Sequence, residues 1–379
     1  MINLFGSKVG QEELDEIKTS IDKQWLGIGK KCAAFEEQIS RRLGLSNFVM
    51  LNSGSNSLLL AVKLLNLEPG SEIILPSFTW IACGHSIVLN GCKPVFCDVN
   101  LNTQNVTCET IEPHLTKKTK AIMVVHYAGK PVAMDPILKL GLPVIEDAAH
   151  AVDSKLDNRY CGSMGDIGIY SFDAVKNLSI GEAGGLTSTN PELAKKAKML
   201  RYCGIGQSAM QRSQSGDVSG RWWEYDILDF FPKVIPDDIG ASIGLAQLKK
   251  LDAHQQYRKW IWDTYQDAFG EISWLHLPIG PEKNEQHSYF TYLVRLNNGK
   301  RDQLAKYLYE NGIYSSLRFH PLHLNKIYGS DAKLPNSELL SETALNLPLH
   351  PGLSEDDVNK IIDTIKAFDR LYCAKSVFA

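Results

Sequence analysis

What the 379-residue sequence lacks narrows its function first. It has no excess of basic charge: 40 Lys and Arg stand against 43 Asp and Glu, for a formal charge of −3. The broad cationic surface of a DNA or RNA binder is therefore missing, and no nucleic-acid partner is expected. No apolar run approaches the roughly 20 residues that cross a bilayer. The start, Met1-Ile2-Asn3-Leu4-Phe5-Gly6, lacks a charged stretch followed by an apolar one. No membrane partner is expected, and the protein is expected to be soluble and cytoplasmic. The eight cysteines form no C-x-x-C pair and no His stands at finger spacing, so no metal site is expected. Such a scatter reads as reduced thiols rather than a disulfide framework. Internal repeats and low-complexity tracts are absent as well.

What is there is 44% hydrophobic residues, enough for a large buried core. Short apolar, β-branched runs alternate with longer amphipathic stretches through the first two thirds, the pattern of an α/β sheet with crossover helices. Strands are expected at Asn47–Leu51, Glu72–Leu75, Lys93–Asp98, Ala121–His126, Pro143–Asp147, Ile167–Phe172 and Gly185–Ser188. Asn52-Ser53-Gly54-Ser55-Asn56-Ser57 joins the first of these to an apolar helix, a plausible anion cradle. From about Ile243 to Phe269 a long helix is expected. A smaller α+β unit follows, with a strand at Phe290–Leu296 and helices at Arg301–Asn311 and Ser354–Phe368. The division is thus a large unit, residues 1–242, whose N-terminal segment packs on the smaller unit, and a linker helix with that smaller unit, residues 243–379. Gly206–Gly220, rich in Gln and Ser, reads as a mobile loop, with a plain solvated loop as the competing reading.

Two neighbourhoods carry chemistry, both at the ends of expected strands where ligands collect in open α/β sheets. In Val144-Ile145-Glu146-Asp147-Ala148-Ala149-His150, Asp147 is a carboxylate in a poorly solvated place that needs a positive partner. Taken alone it reads more readily as a helix cap. In Tyr170-Ser171-Phe172-Asp173-Ala174-Val175-Lys176, a lysine follows a strand end, with the glycines of Gly181-Glu182-Ala183-Gly184-Gly185 beyond it. A desolvated lysine on a rigid turn can condense with a carbonyl, whereas a lone lysine is ordinarily a surface group.

Taken together, these residues match the needs of one cofactor. Pyridoxal phosphate requires a lysine for its aldehyde, a carboxylate for its pyridine nitrogen, and amide and hydroxyl donors for its phosphate. Lys176, Asp147, and Gly54, Ser55 and Ser171 supply one candidate for each. Trp80, in Pro76-Ser77-Phe78-Thr79-Trp80, would stack on the ring, with core packing as the competing reading.

With these residues in collinear order, the chain resembles the DegT/StrS-type sugar-nucleotide aminotransferases. The resemblance runs from Trp25-Leu26-Gly27-Ile28-Gly29 through Ile243-Gly244-Leu245-Ala246-Gln247-Leu248 to Leu347-Pro348-Leu349-His350-Pro351. It implies the fold type I of pyridoxal-phosphate-dependent transferases. That fold is a large α/β domain with a mixed, mostly parallel seven-stranded sheet, and a smaller C-terminal α+β domain. It implies Lys176 as the Schiff-base lysine and proton shuttle, Asp147 as the pyridine-nitrogen carboxylate, and Gly54, Ser55 and Ser171 as phosphate contacts. His150 is implied near the cofactor's ring oxygen and Trp80 on the ring face. Trp25, Gly27, Glu182, Arg318 and His323 are expected at the substrate.

The implied reaction moves an amino group, with glutamate as the expected donor, to a nucleotide-linked keto-sugar, giving an amino sugar for polysaccharide or natural-product synthesis. A homodimer with shared active sites is implied. Where family members carry an Asn-Tyr-Arg-like segment, this chain reads Lys233-Val234-Ile235-Pro236-Asp237-Asp238, and Lys233 is the expected cross-subunit contact. Arg318-Phe319-His320-Pro321-Leu322-His323 carries Arg in place of the family's first His, which suits a diphosphate or a carboxylate. Asp173 and Ala183 also depart from the commoner His and Gly. The alternatives are a sugar 3-dehydratase-like enzyme, which resembles the chain but has His at the lysine position, and a cofactor-binding regulator without turnover.

Overall fold

The computed structural model describes residues 1–206 and 223–373. In chain order its strands are β1 (Val49–Leu51), β2 (Glu72–Pro76), β3 (Lys93–Cys97), β4 (Thr119–Val125), β5 (Val144–Asp147), β6 (Lys155–Leu156), β7 (Arg159–Tyr160), β8 (Ile167–Ser171), β9 (Gly184–Thr187), β10 (Leu275–His276), β11 (Glu285–Gln286), β12 (Tyr292–Leu296) and β13 (Ala344–Leu347). Seven of them build the main sheet in the order β1-β9-β8-β5-β4-β2-β3. Only β9 runs against its neighbours in this sheet. The sheet is thus mixed and mostly parallel, the fold class the resemblance implied. Helices cover both faces, so β2, β5, β8 and β9 are buried along their whole length. This is why β2, with Ile73-Ile74-Leu75 at its centre, reads as a continuous apolar run rather than an alternating one.

All seven expected strands of this sheet are present, shifted by one or two residues at their ends. The long helix is Asp238–Phe269, five residues earlier than expected, because the Asp237 side chain accepts the Gly240 N–H at 2.7 Å and caps it. The boundary placed at 242/243 therefore falls inside one continuous helix. Beyond it lies a three-stranded antiparallel sheet, β10-β12-β13. A separate hydrophobic cluster surrounds this sheet and also includes Ile2. Ile2 bridges Ile313, accepting from Tyr314 N–H and donating to Gly312 O. A third small sheet, β11-β6-β7, lies outside the main one. The expected loop Gly206–Gly220 lies, beyond Gly206 itself, outside the described residues. Among the described residues no helix is long and apolar enough to cross a membrane.

Sheet register positions the site. Leu51 at the end of β1 and Ser171 at the end of β8 both pair with Gly184 at the start of β9. The turn after β1 is therefore carried against Ser171. Asp147, the last residue of β5, pairs with Val125 on one side and Ile169 on the other. The ends of β1, β5 and β8 thus converge on one edge of the sheet.

Candidate active site

The cradle after β1 is made by close backbone approach. Ser53 caps the helix Gly54–Leu64 by accepting the Asn56 N–H at 3.1 Å. The first-turn N–H groups of Gly54 and Ser55 are left without helical acceptors. A Cβ on Gly54 would lie 2.6 Å from the Ser171 Cβ, and one on Gly184 would lie 2.5 Å from Gly54 N. Only glycine fits at either position. The result is a helix N-terminus with a hydroxyl beside it, suited to an anion.

Two adjacent carboxylates end β5 and point to opposite faces of the sheet. Glu146 is saturated: it accepts from His126 Nε2 at 2.9 Å, Gly162 N–H at 2.8 Å, Met164 N–H at 2.6 Å and Gly165 N–H. The Val132 N–H donates to His126 Nδ1 at 3.0 Å, so the ring's Nε2–H is the one given to Glu146. Asp147 is far less occupied. It accepts the Ala149 N–H at 2.9 Å and the Cys83 thiol at 3.2 Å. Burial pushes its carboxyl above the usual range, while those two donors and the charge of Lys176 oppose the rise.

Lys176 stands on the turn between β8 and β9. Its N–H donates to Asp173 O at 2.9 Å, and Val175 N–H donates to Asp173 Oδ1 at 3.0 Å. Asn177 fixes the next position through Ser288 O and Gln255 Oε1 at 2.5 and 2.9 Å. The Lys176 ammonium lies 4.9 Å from the centre of the Phe290 ring. Burial first, and the Arg318 charge second, bring its pKa down to about 8, against the pull of Asp147, Asp173 and Cys83. A lysine in that state is a nucleophile and proton carrier near neutral pH.

His150 is buried and stacked on Phe290 at 4.0 Å, with Phe319 nearly parallel at 5.9 Å. Its Nδ1 has no hydrogen-bond partner among the described residues. Burial, Lys176 and Arg318 all push its pKa well below the ordinary value, so the ring is neutral. Trp80 is 49% exposed and packs against Phe319 at 5.6 Å, which leaves indole surface free for a ligand.

The structure thus gathers Gly54, Ser55 and Ser171 at one cradle, and Lys176, Asp147, His150 and Arg318 in one electrostatic group. The others make the following contacts within this chain. Lys233 is exposed, 5.6 Å over the Tyr202 ring. Trp25 donates to Ile28 O at 3.1 Å, and Gly27 O accepts the Asp238 N–H. Glu182 is exposed, its carboxyl raised by partial burial and by Asp173. His323, expected at the substrate, has both ring nitrogens engaged internally. Ser77 Oγ lies 2.6 Å from Nδ1 and Glu338 Oε1 lies 3.4 Å from Nε2, so it ties the loop to the end of β2.

Reading the sequence missed Cys83, Phe290 and Phe5. Cys83 lies 64 positions from the Asp147 it touches. Phe290 carries Lys176, His150 and Phe5 on its ring, yet nothing in its local pattern marks it.

A lysine of lowered pKa, a half-occupied buried carboxylate and an anion cradle at one end of a mixed seven-stranded sheet fit an aminotransferase of the pyridoxal-phosphate-type fold. The chain belongs to the DegT/DnrJ/EryC1/StrS aminotransferase family, whose model matches residues 7–366. It is 37% identical over 369 residues to dTDP-4-dehydro-2,3,6-trideoxy-D-glucose 4-aminotransferase of Saccharopolyspora spinosa, covering 96% of this chain and 95% of that one. The aminotransferase TlmJ of Streptoalloteichus hindustanus superposes with a TM-score of 0.91 at 35% identity, over 97% of this chain and 98% of TlmJ. Spr1654 of Streptococcus pneumoniae, named as a sugar aminotransferase, superposes in its PLP form with a TM-score of 0.89 at 27% identity, over 97% and 98%.

Proposed function

We propose that this protein transfers an amino group from an amino acid, glutamate first among them, to the carbonyl of a nucleotide-linked keto-deoxysugar, using pyridoxal phosphate held at Lys176. The observation that carries this reading is the presence, on one sheet edge, of Lys176 with its pKa near 8 and Asp147 with acceptor capacity to spare. The donor set suits the cofactor: the cradle that a Cβ would fill and the unpaired His150 Nδ1 both await an acceptor-rich, anionic group.

Bound there, pyridoxal phosphate supplies an electron-accepting ring and an aldehyde that carries nitrogen between two substrates. Gly54 and Ser55 N–H groups and the Ser171 hydroxyl would hold its phosphate. Asp147 would pair with its pyridine nitrogen and favour the protonated form. His150 would offer Nδ1 to the ring oxygen, and Trp80 would pack against the ring. Lys176 would hold its aldehyde and serve as the base and acid for the proton at the substrate carbon. Trp25, Gly27 and Glu182 are assigned to the sugar substrate, and His323 to holding the loop that carries Arg318.

The relative from Saccharopolyspora spinosa, a dTDP-sugar 4-aminotransferase by name, supports a nucleotide keto-deoxysugar as acceptor. Lys176 stands where the dehydratase-like alternative calls for His. A homodimer with shared sites belongs to the same proposal, as does the division into cofactor-binding and smaller units. In keeping with the dimer, Trp25, Leu26, Trp80, Ile227, Leu228 and Phe230 are all more than 45% exposed.

The test is product formation. Purified protein with pyridoxal phosphate, ¹⁵N-glutamate and a panel of keto-sugar nucleotides is expected to yield a ¹⁵N-labelled amino sugar nucleotide by mass spectrometry. Label in no sugar, with the cofactor bound, would favour the regulator reading.

A further inference from the structure

Arg318 stands out because, among the described residues, its guanidinium has no anionic partner in contact. Its guanidinium carbon lies over the Phe5 ring, 3.8 Å from the centre, with Phe290 at 5.5 Å and Phe319 at 5.6 Å. Its backbone is fixed as well: Arg318 N–H donates to Asn346 Oδ1 at 2.8 Å, and the Tyr127 hydroxyl donates to Arg318 O. Among the described residues the guanidinium makes no ion pair and no hydrogen bond. The carboxylate whose charge reaches it is Asp173, and Asp173 Oδ1 already accepts the Val175 N–H.

Stacking occupies the faces of a guanidinium and leaves its edge free. That edge presents N–H donors in a planar fork, the shape that takes a carboxylate through two parallel hydrogen bonds. A partly buried cation with an idle fork costs free energy unless an anion arrives. The packing that holds it idle, including a phenylalanine from the N-terminal segment, is built for a ligand.

Position decides which anion. Arg318 and Lys176 both lie over Phe290, at 5.5 and 4.9 Å from its centre, and the Arg318 charge reaches the Lys176 amine. The group that Arg318 holds must therefore sit close to the carbon at which Lys176 moves a proton. In an amino acid the α-carboxylate is bonded directly to that carbon. In a nucleotide sugar the diphosphate is separated from the reacting carbonyl by the sugar ring.

We infer that Arg318 is the carboxylate-binding residue for the amino donor, and so the residue that makes this enzyme select an α-amino acid. This inference rests on the aminotransferase reading above, and the experiment separates the two. Holoenzyme is first mixed with glutamate. If wild type does not lose its visible cofactor band, the aminotransferase reading itself fails.

Glutarate, which has the carboxylates but no amine, is then titrated calorimetrically into wild-type and Arg318→Gln holoenzyme, with dTDP and UDP-glucuronate as parallel titrants. The expected result is glutarate affinity at least about tenfold weaker in Arg318→Gln, with dTDP and UDP-glucuronate unchanged, as for a lost charged hydrogen-bonding pair. The glutamate concentration that half-saturates band loss should rise in parallel. Unchanged glutarate affinity, or a wild type that loses its band with glutamate yet binds no glutarate, overturns the inference. Weakened dTDP binding instead would assign Arg318 to the diphosphate, and weakened UDP-glucuronate binding alone to a sugar carboxylate. Should Arg318→Gln fail to fold, Phe5→Ala removes the 3.8 Å stack while keeping the charge. A glutarate affinity unchanged there would equally contradict the inference.

Discussion

Cys83 gives its thiol hydrogen to Asp147 Oδ2 across 3.2 Å, and Thr79 Oγ1 lies 3.3 Å from the same sulfur. Burial and the neighbouring Asp147 charge push the thiol's pKa well above its ordinary value, so it remains a donor rather than a thiolate. It orients the less occupied of the two buried carboxylates at the end of β5. Cys83→Val keeps the shape and removes the donor. It should weaken pyridoxal phosphate binding by about 1 kcal/mol, roughly fivefold, and shift the cofactor's visible spectrum, while Cys83→Ser should keep the wild-type spectrum. Absorbance titration of the apoprotein checks both; identical spectra for Val and Ser would show that the thiol does not act on Asp147.

The cradle makes a packing prediction. In Gly54→Ala the new Cβ meets Ser171 Cβ at 2.6 Å, so backbone or side chain must shift. The expected cost is about 1–3 kcal/mol in stability, with a clear loss of cofactor affinity. Gly280→Ala, whose Cβ would meet nothing within 4 Å, should stay within about 0.5 kcal/mol of wild type. Denaturant unfolding and cofactor titration measure both variants.

Lys176 gives a pH dependence with a definite sign. Its folded pKa, about 8, lies below the ordinary 10.5, so the unfolded chain holds more protons between those values. The apoprotein's stability should therefore gain from this group as pH rises from about 8 to 10.5, and below 8 its burial penalty is fully felt. Capture of pyridoxal phosphate, which needs the neutral amine, should speed up as pH rises through 8. Capture rates from stopped-flow absorbance test this, and a midpoint near 10.5 would place the amine in solvent.

Shared active sites predict complementation. Lys233→Ala and Lys176→Ala homodimers should each be impaired, while mixing them under conditions that exchange subunits should restore part of the activity. Light scattering of the wild type should report a dimer. A fully active monomer would contradict the arrangement.

The main sheet was legible in the sequence because several of its strands are buried on both faces and carry apolar residues at successive positions. Asp147 was legible as a charge set directly against such a run, and Lys176, on the turn beyond β8, through its pairing with Asp147 as the second need of one cofactor. The short strands β6, β7, β10 and β11 were not, since two residues carry no periodicity, and β13 is hidden because it follows the helix Pro335–Thr343 without a break. Cys83 and Phe290 acquire their roles only from contacts distant in sequence. His323 stood in a family-like motif, yet Ser77 and Glu338 occupy it, a competition that no local pattern reveals. Arg318 was visible as a departure, but its idle fork needed Phe5, which lies more than 300 positions away.

The most direct measurement of the central claim is the absorbance of holoenzyme mixed with glutamate, in wild type and Lys176→Ala. The account predicts that the wild-type visible band bleaches with glutamate and returns on adding a keto-sugar nucleotide, while Lys176→Ala binds pyridoxamine phosphate but turns over about 10²–10⁴-fold more slowly or not at all. A wild-type band that no amino acid bleaches, or a Lys176→Ala variant with normal turnover, would contradict it.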